Sequence, residues 1–528
     1  MPPSKTSRHR GAGRTTVESG SRLVPRPSPE ERVRRALQFP LGAVRREAAP
    51  PGGEGGGRSW NGSPRPAFTP AGDGITRQLC SAIHLNASFG GEVLNDLVYP
   101  DWKAMAPNWH IDGVALARHA AQAKERRERR DLWLLVVTAA VAIIAEVALV
   151  SIFTGGLGPG GLLALMFFAV VGAYLAGFAI VWVHYRAVHD SALSSIGIRG
   201  LNAVEPPPLP DDVEQAIRSS MRANVIVFAG KTPFNGSGEQ IDRWSFTVDT
   251  RVGTLDAALG KRTEPREFEA VDLHRYLIEQ IPLTLENKPK VGQRLYVIGG
   301  HARAVGGLFR HGPVLDDPDY ELRFRRPVSE VKRERIEQSL RNQHRSARPY
   351  TFFEVTGWDG QVVVTLFVRV EKRGPMLEVE LAVCALRPLK PDYGDVVKIP
   401  LGPGAHRLPL LRTVFPMVWP LLWGSPSRAI RKIRMDRQEA ADRVDLDQQL
   451  EERNDLSWAA APGLRDRTAA AANGNHFGAA DEKIYHNAFK RRSIDVLRAF
   501  LVEQDVDVKE FDLAASFMVP GVAPNNAG

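Results

Sequence analysis

Two long apolar runs lie back to back in this chain, LWLLVVTAAVAIIAEVALVSIF from Leu132 to Phe153 and LLALMFFAVVGAYLAGFAIVWV from Leu162 to Val183, parted only by TGGLGPGG. Each can cross a bilayer as a helix, because about 20 apolar residues at ~1.5 Å rise match a hydrocarbon core of ~30 Å. The pair predicts a two-helix transmembrane hairpin over 132–183 and hence an integral membrane protein. Charge sets its direction: KERRERR at Lys124 to Arg130 abuts the first run, Arg186 and Arg199 follow the second, and the connecting loop is uncharged. Basic flanks stay on the cytoplasmic side, so both termini are expected in the cytoplasm of a two-span plasma-membrane protein.

The net charge of +9 invites a nucleic-acid reading until it is located. Residues 1–67 hold thirteen Lys/Arg against five Glu, so +8 of it sits there and only +1 is left for the rest. No nucleic-acid partner is expected on that balance. The first 70 residues are rich in Arg, Pro, Gly and Ser, and too poor in large apolar residues to offset the entropy of ordering, which predicts a disordered, dispensable basic tail. Cys80 and Cys384 belong to no CxxC or Cys/His cluster, so a disulfide framework and a structural zinc site are excluded.

From residue 75 to 131 the apolar spacing is helical, through Ile75, Leu79 and Ile83 and then Phe89, Val93, Leu94, Leu97 and Val98. Asp112 can cap a third helix that runs on into the first apolar run. This predicts a small helical N-terminal cap, in which His84, His110 and His119 lack ligand spacing. Beyond an EPPPLPDD linker, residues 222–400 read as a mixed α/β cytoplasmic domain. NVIVFAG, RWSFTVD and RLYVIG are strands and FEAVDLHRYLIEQI a helix. An antiparallel β-meander follows: TFFEVTGW and QVVVTLFVRVEK are joined by Asp359-Gly360, and MLEVELAVCAL succeeds RGP. Its last strand alternates Leu377, Val379, Leu381 and Val383 with Glu378, Glu380 and Cys384, which places Cys384 on the more polar face. A C-terminal amphipathic helix is expected over 480–511, with Tyr485, Phe489, Val496 and Phe500 as its packing stripe, and a loose tail over 512–528. The fold class is thus an α+β membrane protein.

No catalytic residue, cofactor or metal site emerges. FAGKT ends in the Gly230-Lys231-Thr232 triplet of a phosphate loop, but Val225 stands where its first glycine belongs and Pro233 where a helix would start. FNGSGE reads as a turn. His301, His274 and Asp272 compose no acid/base set without a nucleophile motif.

Two intramembrane polar residues call for an account. Glu146 lies about four residues past the middle of the first span, ~5 Å off the midplane, where an ionised carboxylate is costly. The expectation is a protonated group hydrogen-bonded at the helix interface, with Tyr174 able to offer its hydroxyl and Ala169, Gly172, Ala173 and Ala176 allowing close approach. An oligomeric ion or proton pathway through Glu146 is the alternative. A third apolar segment, Leu408 to Gly424, is short and broken by Pro409, Pro416 and Pro420, and SRAIRKIRMDR trails it. Residues 408–437 are read as a reversible membrane-surface contact, with Trp419 and Trp423 at headgroup level and Arg431, Lys432 and Arg434 on anionic lipid; a buried core segment is the alternative.

NVIVFAGKTPFNGSGEQIDRWSFTVD (Asn224 to Asp249) and AFKRRSIDVLRAFLVEQDVDVKEF (Ala488 to Phe511) together resemble a set of bacterial two-helix membrane proteins with no established activity. The likeness runs loosely from Ile75 to Phe511 and implies a membrane-tethered soluble module. The function expected is a membrane-anchored interaction or scaffold module that meets another protein or the lipid surface, with self-association possible. Its rival is a membrane-bound enzyme with an unrecognised site in 224–386.

Overall fold

The computed structural model describes residues 74–98, 103–153, 158–197, 205–256, 260–284, 288–309, 326–342, 344–399, 407–452 and 457–518. The basic tail and the last ten residues lie outside them. The cap opens with α1 (Gly74–Leu85) and α2 (Ala87–Leu97), and the Asn86 carboxamide oxygen starts α2 by accepting the N–H groups of Ser88 and Phe89. α3 (Gly113–Phe153) is one unbroken helix of 41 residues, ~60 Å long. Asp112 caps it, its carboxylate taking the N–H of Val114 and of Ala115 at 3.0 Å. The first half of α3 buries Leu116, Ala117 and Ala120 against Leu79, Ile83 and Val93. Its second half is the first apolar run, and α4 (Pro159–Ser195) returns beside it carrying the second. Both are long and apolar enough to cross a membrane.

α5 (Asp211–Met221) leads into β1 (Val225–Phe228), β2 (Glu239–Asp249), a small ribbon of β3 (Leu255–Asp256) and β4 (Lys261–Arg262), α6 (Ala270–Gln280), β5 (Lys290–Ile298) and α7 (Arg333–Arg341). β6 (Ala347–Gly357), β7 (Val362–Arg373) and β8 (Met376–Leu386) complete a mixed six-stranded sheet of order β1-β5-β6-β7-β8-β2. Only β1 and β5 are parallel. The β6–β7 connection is longer than a two-residue Asp-Gly turn. Trp358 joins Asp359 and Gly360 in the left-handed region, and its indole N–H is held by Asp481 at 2.8 Å.

One face of the sheet carries Phe353, Val364, Leu366, Val368, Leu377, Val379 and Leu381 and is covered by α6, α11 (His476–Glu503) and α12 (Lys509–Met518). Phe489, Val496 and Phe500 of α11 are buried there; at about 1.5–3 kcal/mol per buried large side chain, this stripe is a main source of stability. Residues 512–518, expected to be loose, are helical because Phe511 and Ala515 bury against Phe246 and its neighbours.

The other face is not a solvated polar surface. Cys384 is fully buried on it, within a cluster that includes Trp109, Phe234, Tyr296, Phe352 and Phe367. Trp109 comes from the cap, so cap and sheet share a core. Its ring lies 3.4 Å from the Arg294 guanidinium, which Phe352 flanks at 3.7 Å on the other side.

The remaining helices are α8 (Arg407–Trp423), α9 (Ser425–Glu452) and the short α10 (Leu464–Thr468). α8 lies along the apolar halves of α3 and α4, with Leu410, Val414, Val418 and Leu422 buried beside Leu134, Val141, Ala173 and Val181. A buried Thr138–Ser425 hydroxyl pair at 3.0 Å ties its end to α3.

Candidate functional site

Two regions carry the chemistry that the sequence raised. The first is the apolar three-helix unit. Its inward side is packed, and its outward side shows large apolar groups to the surroundings: Val147 is 63%, Phe168 70% and Phe415 60% exposed. Glu146 stands exposed on this outward side, not at the interface between α3 and α4 as expected. The side of α3 that it faces depends on where α4 and α8 pack, which the sequence pattern did not show. Tyr174 has another partner, donating its hydroxyl to the Phe415 carbonyl of α8 at 3.2 Å. The small-residue stripe is split: Ala173 is buried and Ala169 half-buried, while Gly172 and Ala176 are exposed; Gly177, outside that stripe, is buried against Val418 and Leu422. Trp419 and Trp423 lie on the exposed side of α8, and Arg431 and Arg434 are exposed on α9. Lys432 and Arg428 reach back to Glu128 and Asp131 of α3, at 2.9 Å and 3.3 Å.

The second region is a pocket of about 240 Å³ on the cap-side face of the sheet. Its wall begins where β1 ends. Gly230 turns the chain with a φ of 90°, and the loop through Pro233 and Phe234 returns to β2 without forming a helix, so the Gly230-Lys231-Thr232 triplet cradles no phosphate. The loop amides of FNGSGE point inward instead. Asp466 of α10 accepts the N–H of Gly236 at 2.5 Å and of Gly238 at 2.9 Å. Glycine is required at both positions: their φ values are 88° and 84°, and a side chain would strike Trp109 at the first and the Ala385 carbonyl at the second. Burial raises the Asp466 carboxyl despite these hydrogen bonds. Thus clamped, the loop stacks Phe234 on Phe367, ring centroids 4.3 Å apart.

Tyr296 and Tyr350 form the floor, each meeting Phe234 edge-on at 5.3 Å. Burial pushes both phenols up, and the neighbouring Glu380 charge adds to this for Tyr350. Glu380 is already committed: it accepts from Tyr350 at 3.2 Å and pairs with Arg369 at 2.9 Å and Arg243 at 2.8 Å. Lys231, Arg345 and Arg348 stand around the same opening, exposed and with no ion pair among the described residues. Among the described residues the pocket therefore carries a positive excess.

Much of this region falls within the reach of one family model, which describes an AbeC-like domain and matches residues 243–526, more than half of the chain. The chain belongs to the AbeC-like family. That family is of unknown function, and no curated protein and no solved structure matches the chain. The AbeC-like region begins inside β2, so it includes Arg345, Arg348, Glu380 and the Asp466 clamp but leaves Lys231 and the two long apolar helices outside.

Of the histidines raised by the sequence, His84 and His119 meet at 2.9 Å in the buried cap, and His110 pairs with Glu354 at 3.3 Å. His274 is buried against the Thr351 hydroxyl at 2.8 Å. Only His301 reaches the pocket rim, where its Nδ1 and the Ser346 hydroxyl are 3.0 Å apart. Among the described residues no group of His, Cys, Asp and Glu could hold a metal ion.

Proposed function

We propose that this AbeC-like protein is a two-span plasma-membrane protein with both termini in the cytoplasm, in which the α/β unit acts as an interaction module held against the bilayer. The observation that carries this reading is the outward side of α3, α4 and α8, which exposes a continuous series of large apolar groups that lipid would cover. Because α3 runs without a break from the cap into the apolar unit, the module is held stiffly rather than on a flexible leash. Trp419 and Trp423 suit the lipid interface, and Arg431 and Arg434 beside them suit anionic headgroups, as a contact that adds to the anchor.

Cysteine labelling in intact cells tests this. The two native thiols are buried, which keeps the background low. Leu157→Cys should react with a membrane-impermeant maleimide and Glu205→Cys should react only after permeabilisation. The reverse pattern, or release of the protein from membranes by alkaline carbonate, would overturn the reading.

The enzyme reading has one observation in its favour, the Ser346–His301 pair at the mouth of a cationic pocket. A hydroxyl within hydrogen-bond reach of an imidazole is the minimum of an activated nucleophile, though among the described residues no carboxylate orients His301. Labelling by a fluorophosphonate probe that disappears in Ser346→Ala supports it; absence of labelling in the native chain removes it.

A further inference from the structure

We infer that the pocket bounded by Lys231, Arg345 and Arg348 binds a phosphate monoester carrying a small apolar or aromatic body. Lys231 comes from the β1–β2 loop, Arg345 from the turn before β6 and Arg348 from β6 itself, so the fold brings them to one opening from two separate parts of the chain. They are free to act on a ligand. Glu380, the one acidic group lining the pocket among the described residues, is saturated by Arg243, Arg369 and Tyr350, and cannot neutralise them as well.

The head group follows from the donors. Two guanidinium forks and an ammonium present more N–H donors than a carboxylate has oxygens to use, whereas a phosphate monoester brings three terminal oxygens and a charge of about −1.5 to −2 at neutral pH. The Ser346 hydroxyl and Gln240 amide, also lining the pocket, can complete its hydrogen bonds. The body follows from the walls: Phe228, Pro233, Phe234 and Ile298 line the same space. A volume of about 240 Å³ leaves room for one ring or a short chain inside the pocket. The Asp466 clamp has a purpose in this scheme, since it fixes Phe234 in place before any ligand arrives.

The full chain in neutral phosphatidylcholine nanodiscs is titrated calorimetrically with phenyl phosphate, inorganic phosphate and benzoate at constant low ionic strength. Phenyl phosphate should bind saturably, at least tenfold tighter than either of the others. Arg345→Gln and Arg348→Gln should each weaken it at least fivefold with the thermal midpoint unchanged, because neither side chain has an ion-pair partner among the described residues. Repeating the titration in discs containing phosphatidate separates the sources of the head group. An unchanged Kd assigns the site to a soluble phosphate ester, and a competition seen in the native chain but lost in Arg348→Gln assigns it to a lipid. Absence of saturable binding, equal binding of benzoate, or full affinity in both glutamine variants would overturn the assignment.

Discussion

His274 shows how far a single buried side chain can carry a prediction. It lies fully buried between α6 and β6, with Thr351 as its hydrogen-bond partner, and burial lowers its pKa to about 4. In the unfolded chain the same group titrates near ~6.5, so between these values the unfolded state binds the extra proton. Its stability contribution is complete above pH ~6.5 and is lost as pH falls toward 4. Glu354 works at lower pH. Burial alone would raise it, but the His110 hydrogen bond and the nearby Arg294 and Lys290 charges prevail and hold it at about 2. Its contribution is full above ~4.3, the unfolded value, and disappears as pH falls toward 2. The thermal midpoint should therefore decline in two stages on acidification. His274→Gln should shrink the stage above pH 4.5, to which the buried His84 and His119 also contribute, and leave the lower one; if the upper decline is unchanged in that variant, the assignment to His274 is wrong. None of this was legible in the sequence, where His274 stood only in a trio with His301 and Asp272 that composed no acid/base set. What hid it is that its partner Thr351 is 77 residues away on another element.

At the scale of elements, the sequence located most pieces and misjudged how some of them pack. The period-2 alternation in β8 was visible, and its more polar face is covered all the same because Arg369 pairs with Glu371, Glu378 and Glu380. The prolines of α8 pointed to a segment too short and broken to cross a bilayer, and left open whether it lies on the membrane surface or in the core. Pro416 and Pro420 do remove two N–H donors, but the row of Leu410, Val414, Val418 and Leu422 against α3 and α4 outweighs the loss. Gly177 is the test of that packing, since a side chain there would lie 3.3 Å from Val418 and 3.5 Å from Leu422 at its first carbon alone. Gly177→Leu should displace α8, and hydrogen exchange over residues 410–423 should rise at least tenfold while exchange in β6 and β7 stays slow. Unchanged protection of α8 would mean it is held from elsewhere. The Asp466 clamp is of the same kind. Asp466→Ala leaves two loop N–H groups unpaired and should cost about 2–6 kcal/mol in denaturant unfolding, at about 1–3 kcal/mol per buried orphan group.

The molecule as a whole differs from a soluble domain hung on an anchor. The sheet has two covered faces, and the cap supplies part of the cover for one of them. Trp109 stacks on Arg294, His110 pairs with Glu354, and Pro107 and Trp109 close over Gly236. These contacts join residues 103–112 to strands more than a hundred residues away. Periodicity cannot reveal such contacts, because the segment between Pro107 and Asp112 belongs to no regular element. A fragment beginning at Asp211 would keep every strand and all of α11 and α12, but would open the Arg294 site and leave a buried guanidinium with Phe352 and without Trp109. Such a fragment should lose near-ultraviolet circular dichroism and bind a hydrophobic dye while keeping its far-ultraviolet signal. In the full chain, Trp109→Ala should by the same logic cost about 3–5 kcal/mol, the usual range for a buried tryptophan truncated to alanine. Extending the fragment back to residue 103 cannot by itself restore the fold, because Ile111 packs in the cap core with α1, α2 and the start of α3. Restoration should appear once residues 74–131 are included. A fragment from Asp211 that unfolds cooperatively, with the midpoint and near-ultraviolet spectrum of the full chain, would show that sheet and cap are separable after all.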